Sequence, residues 1–258
     1  MDELVPALPG YLLILTRVTA FFVTVPLFSY KAIPTTQRII FAAALALMMA
    51  YTIEIPEMQI DGEYILLVMK EVMVGLYIGI IAYIIMAAIQ IAGGFIDFQM
   101  GFAIANVIDP QTGAQSPLMG QFFNSLAILL LLVLNGHHLL LDGIFYSYQY
   151  LPIDQMWPAF GSGRLIEFII TTFAASFAIA FQMSMPIVAT LFLVDLALGI
   201  TARAVPQLNI FVVGFPIKIG VSFMVLLIMM PVMIAVMQKL FEFMIISMRD
   251  LMILLGGG

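Results

Sequence analysis

Apolar residues in this chain do not alternate with polar ones; they come in long blocks. Six blocks lie near 4–28, 38–53, 64–92, 122–141, 165–194 and 208–237, followed by an amphipathic stretch near 240–255. A helix needs about 20 apolar residues to cross a bilayer, and the block at 38–53 reaches that length only by borrowing from its flanks. The runs are too long and too continuous for strands, and no period-two alternation appears. The pattern predicts an all-α membrane protein of about six long, kinked apolar helices. The third, fifth and sixth blocks carry charges, which predicts tilt, breaks or exposed ends. Pro26, Pro186 and Pro231 lie within or near the ends of apolar runs, where kinks are expected.

One stretch departs from this pattern. From Gly101 to Gln121 there is no long apolar run; Asn106, Asp109, Pro110, Gln111, Thr112, Gly113, Ser116 and Pro117 stand there instead. Proline and glycine at this density break a helix, and Asn, Asp and Ser favour turns. Irregular backbone between membrane-type segments belongs at the surface, inside protein, or along a wet cavity. The last of these makes the stretch functional.

Composition narrows the class. The chain is 64% hydrophobic and only 9% charged, with a mean hydropathy of +1.15, which excludes an ordinary soluble domain. The 258 residues leave no room for a separate soluble domain beside several spans, so 1–258 reads as one integral membrane domain. The absence of cysteine excludes disulfides and thiolate metal sites. A net charge of -6, thinly spread, forms no basic patch, so nucleic acid is not an expected partner. Met1-Asp2-Glu3 lacks the positive charge of a secretory signal, and cleavage is not expected. Lys31 and Arg38 lie between the first two blocks and Arg203 between the fifth and sixth. The positive-inside rule places these in the cytoplasm and the N-terminus outside.

Charged and small residues inside the blocks carry the remaining signals. Arg17 is costly in an apolar run: it snorkels, pairs with a neighbouring subunit, or faces a cavity. Lys70 and Glu71 are adjacent, about 100° apart on a helix, and are not expected to face each other. Gln90, Gly94, Asp97 and Gly101 fall on one helical face, suited either to close packing or to a wet lining. Gly75 and Gly79 form a GxxxG, a close-approach motif in membranes. His137 and His138 are expected to diverge, and with Asp142 alone they make no metal site. Asp195 and Arg203 either pair across a turn or stand solvated. No phosphate-binding loop, nucleophile elbow or His-Glu-x-x-His motif is present, so neither catalysis nor a cofactor is expected. The 20 methionines and 21 phenylalanines are mostly packing or lipid contact, although methionine also suits a compliant seal.

Several motifs, in order along nearly the whole chain, resemble one family. Ala105-Asn106-Val107-Ile108-Asp109-Pro110-Gln111-Thr112-Gly113 is similar to the central loop of the FliR family of type III secretion export-gate proteins. Gly120-Gln121-Phe122-Phe123, Gly136-His137-His138, Leu191 to Gly199, Arg203 to Phe211 and Gly214-Phe215-Pro216-Ile217-Lys218 resemble later parts of the same family. The Asp-Pro-Gln-Thr-Gly and Gly-His-His runs look more like the flagellar branch than the virulence injectisome branch.

The resemblance implies a fold with a FliP-like part followed by a FliQ-like helical hairpin at 165–237. It implies FliP-like and FliQ-like gate partners, FlhB-like and FlhA-like export partners, and passage of unfolded flagellar proteins. It implies a place in the bacterial inner membrane at the flagellar basal body. It assigns 93–121 to a polar loop that plugs the pore, with Gly101, Phe102, Asn106, Asp109, Pro110, Gly113 and Gly120 as its candidate residues. Gly75, Gly79, Gly94, Asp97, Arg203, Pro206 and Lys218 are then expected to serve helix or subunit packing. The rival from the residues themselves is a small-solute or ion transporter using Arg17, Lys70, Asp97 and Lys218 as a coupling site.

Overall fold

The computed structural model describes residues 4–30, 33–53, 55–56, 58, 60–102, 117–155, 158, 160–207 and 209–257. Among these the chain forms seven helices: α1 (Leu4–Thr24), α2 (Thr35–Ala50), α3 (Gly62–Met100), α4 (Leu118–Val133), α5 (Gly136–Tyr150), α6 (Gly163–Ala204) and α7 (Ile210–Leu255). Their ends follow from local chemistry. Asp61 opens α3 by accepting the backbone N–H groups of Glu63 at 3.0 Å and Tyr64 at 3.1 Å, which satisfies donors that a helix start leaves free. Ser162 opens α6 in the same way, accepting from the Leu165 N–H at 3.3 Å. Pro26 lies just past the end of α1, whereas Pro186 and Pro231 sit inside α6 and α7.

The all-α expectation holds, but the number of spans does not. Among the described residues three helices, α3, α6 and α7, are long and apolar enough to cross a membrane; α4 and α5 together make a fourth only as a bent pair. The difference from six lies in the first, second and fourth blocks. The last apolar block and the amphipathic tail are not separate but fuse into α7, 46 residues long. The block at 122–141 is interrupted instead: Asn135 takes a left-handed φ of 56° and the chain bends by 74° between α4 and α5. Asn and Gly are the residues that accept that conformation, and Asn135-Gly136 supplies both. Among the described residues, the apolar helical stretches Leu8–Thr24 and Thr35–Ala50 are shorter than a span. At about 1.5 Å per residue, α3, α6 and α7 run to roughly twice the ~30 Å hydrocarbon thickness. Each therefore tilts strongly or continues beyond the hydrocarbon.

The described chain divides into two compact units. Unit 1 comprises Met1–Met86, Leu131–Phe173 and Phe241–Gly258; unit 2 comprises Ala87–Leu130 and Ala174–Leu240. The core of unit 1 is apolar around Leu13, Ile14, Val18, Phe21, Ile78 and Ile85, all at or near zero exposure. Aromatic stacking joins α1 to α2: Phe22 lies 4.5 Å from Phe28 and 5.6 Å from Phe41 between ring centroids. Unit 2 buries Ile89, Ile96, Phe123, Ile187 and Leu191, and Phe95 meets Phe177 and Phe181 edge-on.

Candidate functional site

Helix α3 ends where the polar stretch begins, and its termination is fully specified. Gly101 adopts φ 89°, a conformation that costs glycine nothing. Its N–H donates to the Phe98 carbonyl at 3.2 Å and the Phe102 N–H donates to the Asp97 carbonyl at 3.1 Å. This pair of bonds is the Schellman closure of a helix. Residues 103–116 lie outside the described residues, and with them the candidate plug residues Asn106, Asp109, Pro110 and Gly113.

The chain is described again from Pro117, where α4 begins against α3. Asp97 accepts the backbone N–H of Met119 at 2.9 Å, so a carboxylate on α3 caps the start of α4. A negative side chain there also meets the positive end of the helix dipole. Close backbone approach makes this reach possible. A Cβ on Gly93 would collide with the backbone of Gly120, and one on Gly120 would lie 3.1 Å from the Gln90 carbonyl oxygen. A Cβ on Gly94 would sit 3.5 Å from the Pro117 ring. The polar, small-residue face of α3 thus packs on the first turn of α4. The other Asp97 oxygen is buried without a hydrogen bond.

Two further helices grip the same end of α3. On α7, Phe215 packs against Gly101, its ring 3.3 Å from where a Cβ would stand, and meets the Phe102 ring edge-on at 6.5 Å. One turn on, the Lys218 ammonium lies 3.0 Å from each oxygen of Asp195 on α6. The Gln99 amide donates to the same carboxylate at 2.9 Å. Asp195 is therefore tied to Lys218 and Gln99, and the pairing with Arg203 considered from sequence is replaced by one that α7 brings alongside. Arg203 and Pro206 are exposed at the turn between α6 and α7.

Unit 1 holds a second polar cluster, fully buried. Arg17 of α1 binds Glu71 of α3 through both Nε and Nη2, the latter at 2.9 Å. It also donates to Ser147 Oγ and to the Leu151 carbonyl, each at 2.9 Å. The Tyr148 ring lies 3.7 Å from the guanidinium carbon, a cation–π contact. Lys70 Nζ lies 2.6 Å from Glu71 Oε1 and donates to the Pro152 and Ile153 carbonyls at 2.9 Å. Two expectations are corrected here. Arg17 neither snorkels nor awaits a neighbouring subunit, because its partner is 54 residues away in the same chain. Lys70 does meet Glu71, because its four-carbon stem curls across the angle that separates the two Cβ atoms.

The GxxxG glycines make the Arg17–Glu71 contact reachable. A Cβ on Gly75 would strike the Arg17 carbonyl oxygen and lie 2.9 Å from Ala20 Cβ; one on Gly79 would lie 3.1 Å from the Phe21 carbonyl oxygen. Helix α1 comes within reach of Glu71 because α3 is bare there. The histidines are also rearranged: the rings of His137 and His138 lie 4.1 Å apart rather than diverging, since the first turn of α5 has no preceding turn to restrict their χ1 angles. Among the described residues no three His, Asp or Glu side chains group as metal ligands. The four charges of the transporter reading are each engaged: Arg17 and Lys70 with Glu71, Lys218 with Asp195, and Asp97 with the start of α4.

Sequence reasoning named Glu71 only as a neighbour that Lys70 would not face and Phe215 only within a family-like motif, and it missed Gln99, Ser147 and Tyr148. Glu71 had a signal, being an acid in an apolar run that also holds Arg17-type cost; its partner, however, is set by packing and not by spacing. Asn135-Gly136 is a turn dipeptide and marks the break in the fourth block.

The family model for bacterial export proteins, family 1, matches residues 8–244. The chain is 55% identical over 257 residues to the flagellar biosynthetic protein FliR of Bacillus subtilis (strain 168), covering 99% of each. It is 30% identical to flagellar biosynthetic protein FliR of Pectobacterium carotovorum subsp. carotovorum, covering 88% of this chain and 86% of the other. Yop proteins translocation protein T of Yersinia pestis is 29% identical, with 84% of each chain covered.

Proposed function

Because the chain belongs to the family of bacterial export proteins, family 1, we propose that it is a subunit of the flagellar type III export gate. It forms part of the inner-membrane channel through which unfolded flagellar proteins leave the cytoplasm. The single observation that carries this is the 55% identity to a flagellar biosynthetic protein along 99% of both chains. The polar stretch supports a pore role: it leaves α3 at Gly101 and returns at Pro117 beside the same helix face. Turn-rich backbone is tolerated at membrane depth only within protein or along a wet lumen. In this reading the stretch from Gly101 to Gly120 obstructs the resting channel and moves during export.

The large apolar surface of α6 and α7 fits burial among gate partners of FliP-like and FliQ-like kind, with FlhB-like and FlhA-like proteins on the cytoplasmic side. By the positive-inside rule the turn carrying Arg203 faces the cytoplasm. No chemical step is assigned to the chain; energy enters elsewhere in the apparatus. The test is deletion within residues 105–117, read by ion leakage, motility and recovery of the assembled gate. Leakage with an intact gate supports the pore obstruction. A tight membrane with normal motility and assembly overturns it, and loss of the gate itself points to a scaffolding role.

A further inference from the structure

Three helices of unit 2 converge on one carboxylate at the point where the polar stretch departs. Asp195 on α6 holds Lys218 of α7 through two contacts of 3.0 Å and Gln99 of α3 through one of 2.9 Å. Gln99 is two residues before Gly101, where α3 closes, and Phe215, one turn before Lys218, lies on Gly101 and Phe102. The polar contact from α6 and the aromatic contact from α7 thus act on neighbouring residues at the end of α3.

The surroundings make this arrangement uneven in cost. Neighbouring side chains on α6 and α7 are apolar and outward-facing: Phe192 is 56% exposed, Leu193 63%, Leu196 49% and Val212 67%. A lone charge on such a face is costly once lipid or protein covers it, so Lys218 has a reason to stay with Asp195. Gln99 is different. A neutral amide loses one hydrogen bond on release, and a single hydrogen bond is worth far less than a desolvated ion pair's integrity. The ion pair therefore keeps α6 and α7 in register, while the Gln99 contact is the weaker link to α3.

We propose that Asp195 is a positioning residue that couples the α6–α7 hairpin to the end of α3, so that displacement of the hairpin is transmitted to the origin of the polar stretch. The proposal rests on the reading of that stretch as the pore obstruction. It assigns Asp195 two separable jobs, a charge for Lys218 and an acceptor for Gln99, with Phe215 as the apolar part of the same grip.

Charge exchange in the complete export apparatus tests it. Cells carry Asp195→Lys, Lys218→Asp, or both, and are scored for secreted flagellar protein, ion leakage and the amount of chain recovered in the gate complex. Each single reversal should lower secretion or raise leakage at least about fivefold, the lower end of ordinary coupling between sites. The double exchange should restore most of it, because an ion pair can form again and the Gln99 amide can turn its oxygen to accept from the new ammonium. Gln99→Leu, which keeps the ion pair, should raise leakage with normal recovery of the chain. Single reversals that secrete and seal like the parent overturn the proposal. So does a double exchange that assembles normally without restoring function. If the reversed chains are not recovered in the gate, Gln99→Leu decides, and a tight membrane in that variant is the overturning result. The 105–117 deletion run alongside separates the two ideas: leakage there with no effect of the Asp195, Lys218 and Gln99 variants sinks the coupling alone, whereas a tight deletion sinks the pore obstruction beneath it.

Discussion

Unit 1 and unit 2 treat charge in opposite ways. Unit 1 encloses Arg17, Lys70 and Glu71 completely, with side-chain exposures of 1% or less for the lysine and glutamate, and surrounds them with three backbone carbonyls, a serine and a tyrosine ring. Unit 2 leaves its ion pair part-open, at 18% for Lys218 and 40% for Asp195, beside helices whose apolar faces point outward. A buried cluster whose three charges are all paired or hydrogen-bonded fixes one arrangement, because no partial release of a buried charge is cheap. In unit 2 the ion pair holds α6 to α7, and one amide hydrogen bond from Gln99 joins it to the end of α3. The difference puts the denser set of polar bonds in unit 1 and the sparser set at the end of α3.

The contrast is broken most forcefully at Glu71. Glu71→Gln keeps the shape but leaves two buried cations sharing neutral acceptors, and removing one partner of a buried pair costs about 3–5 kcal/mol. That is a large share of an ordinary stability of ~5–15 kcal/mol. The amount of chain in membranes and its protease resistance should both fall sharply; an unchanged level would show that unit 1 is not held by this cluster. Next comes Gly75→Leu, which forces α1 and α3 apart. Overpacking of this sort costs about 1–3 kcal/mol, and here it also lengthens the Arg17–Glu71 contact, so the loss should be non-additive with Glu71→Gln in a double-mutant cycle.

Smaller effects sharpen unit 2. Asp97→Ala removes the cap on α4 and should cost about 1 kcal/mol, the usual value for a lost helix cap, while Asp97→Asn keeps an acceptor for the Met119 N–H and should cost less. Equal losses in thermal-shift measurements of the purified gate would mean that charge, not the hydrogen bond, is what Asp97 contributes. The smallest effect is expected at Phe192→Ala. An exposed side chain away from special features shifts stability by no more than about 0.5 kcal/mol when the chain is studied without partners. A several-fold larger loss in the assembled gate would identify that face of α6 as covered by protein.

Much of this was readable from spacing. The apolar blocks located the helices, and Gly101 to Pro117 stood out as a break because its turn residues have no other use at that density. The helix count was not readable. Block 208–237 and the stretch 240–255 look separate because Gln238, Lys239 and Glu242 interrupt the apolar run, yet all three fit on one continuous helix. Block 122–141 looks whole, yet Asn135 breaks it. Of the site residues, Gly94, Asp97 and Gly101 announced themselves by sharing a face, but Gln99 is an ordinary polar residue until Asp195 is brought to it.

The sequence by itself determined that the chain is helical and membrane-bound, where its one long polar stretch lies, and which family it resembles, because these depend on composition and on order along the chain. Which charges meet was decided only by the tertiary structure. Arg17 finds Glu71 across 54 residues and Lys218 finds Asp195 across 23, and such pairings follow from helix packing, where bare glycine faces let one backbone approach another closely enough for long side chains to reach.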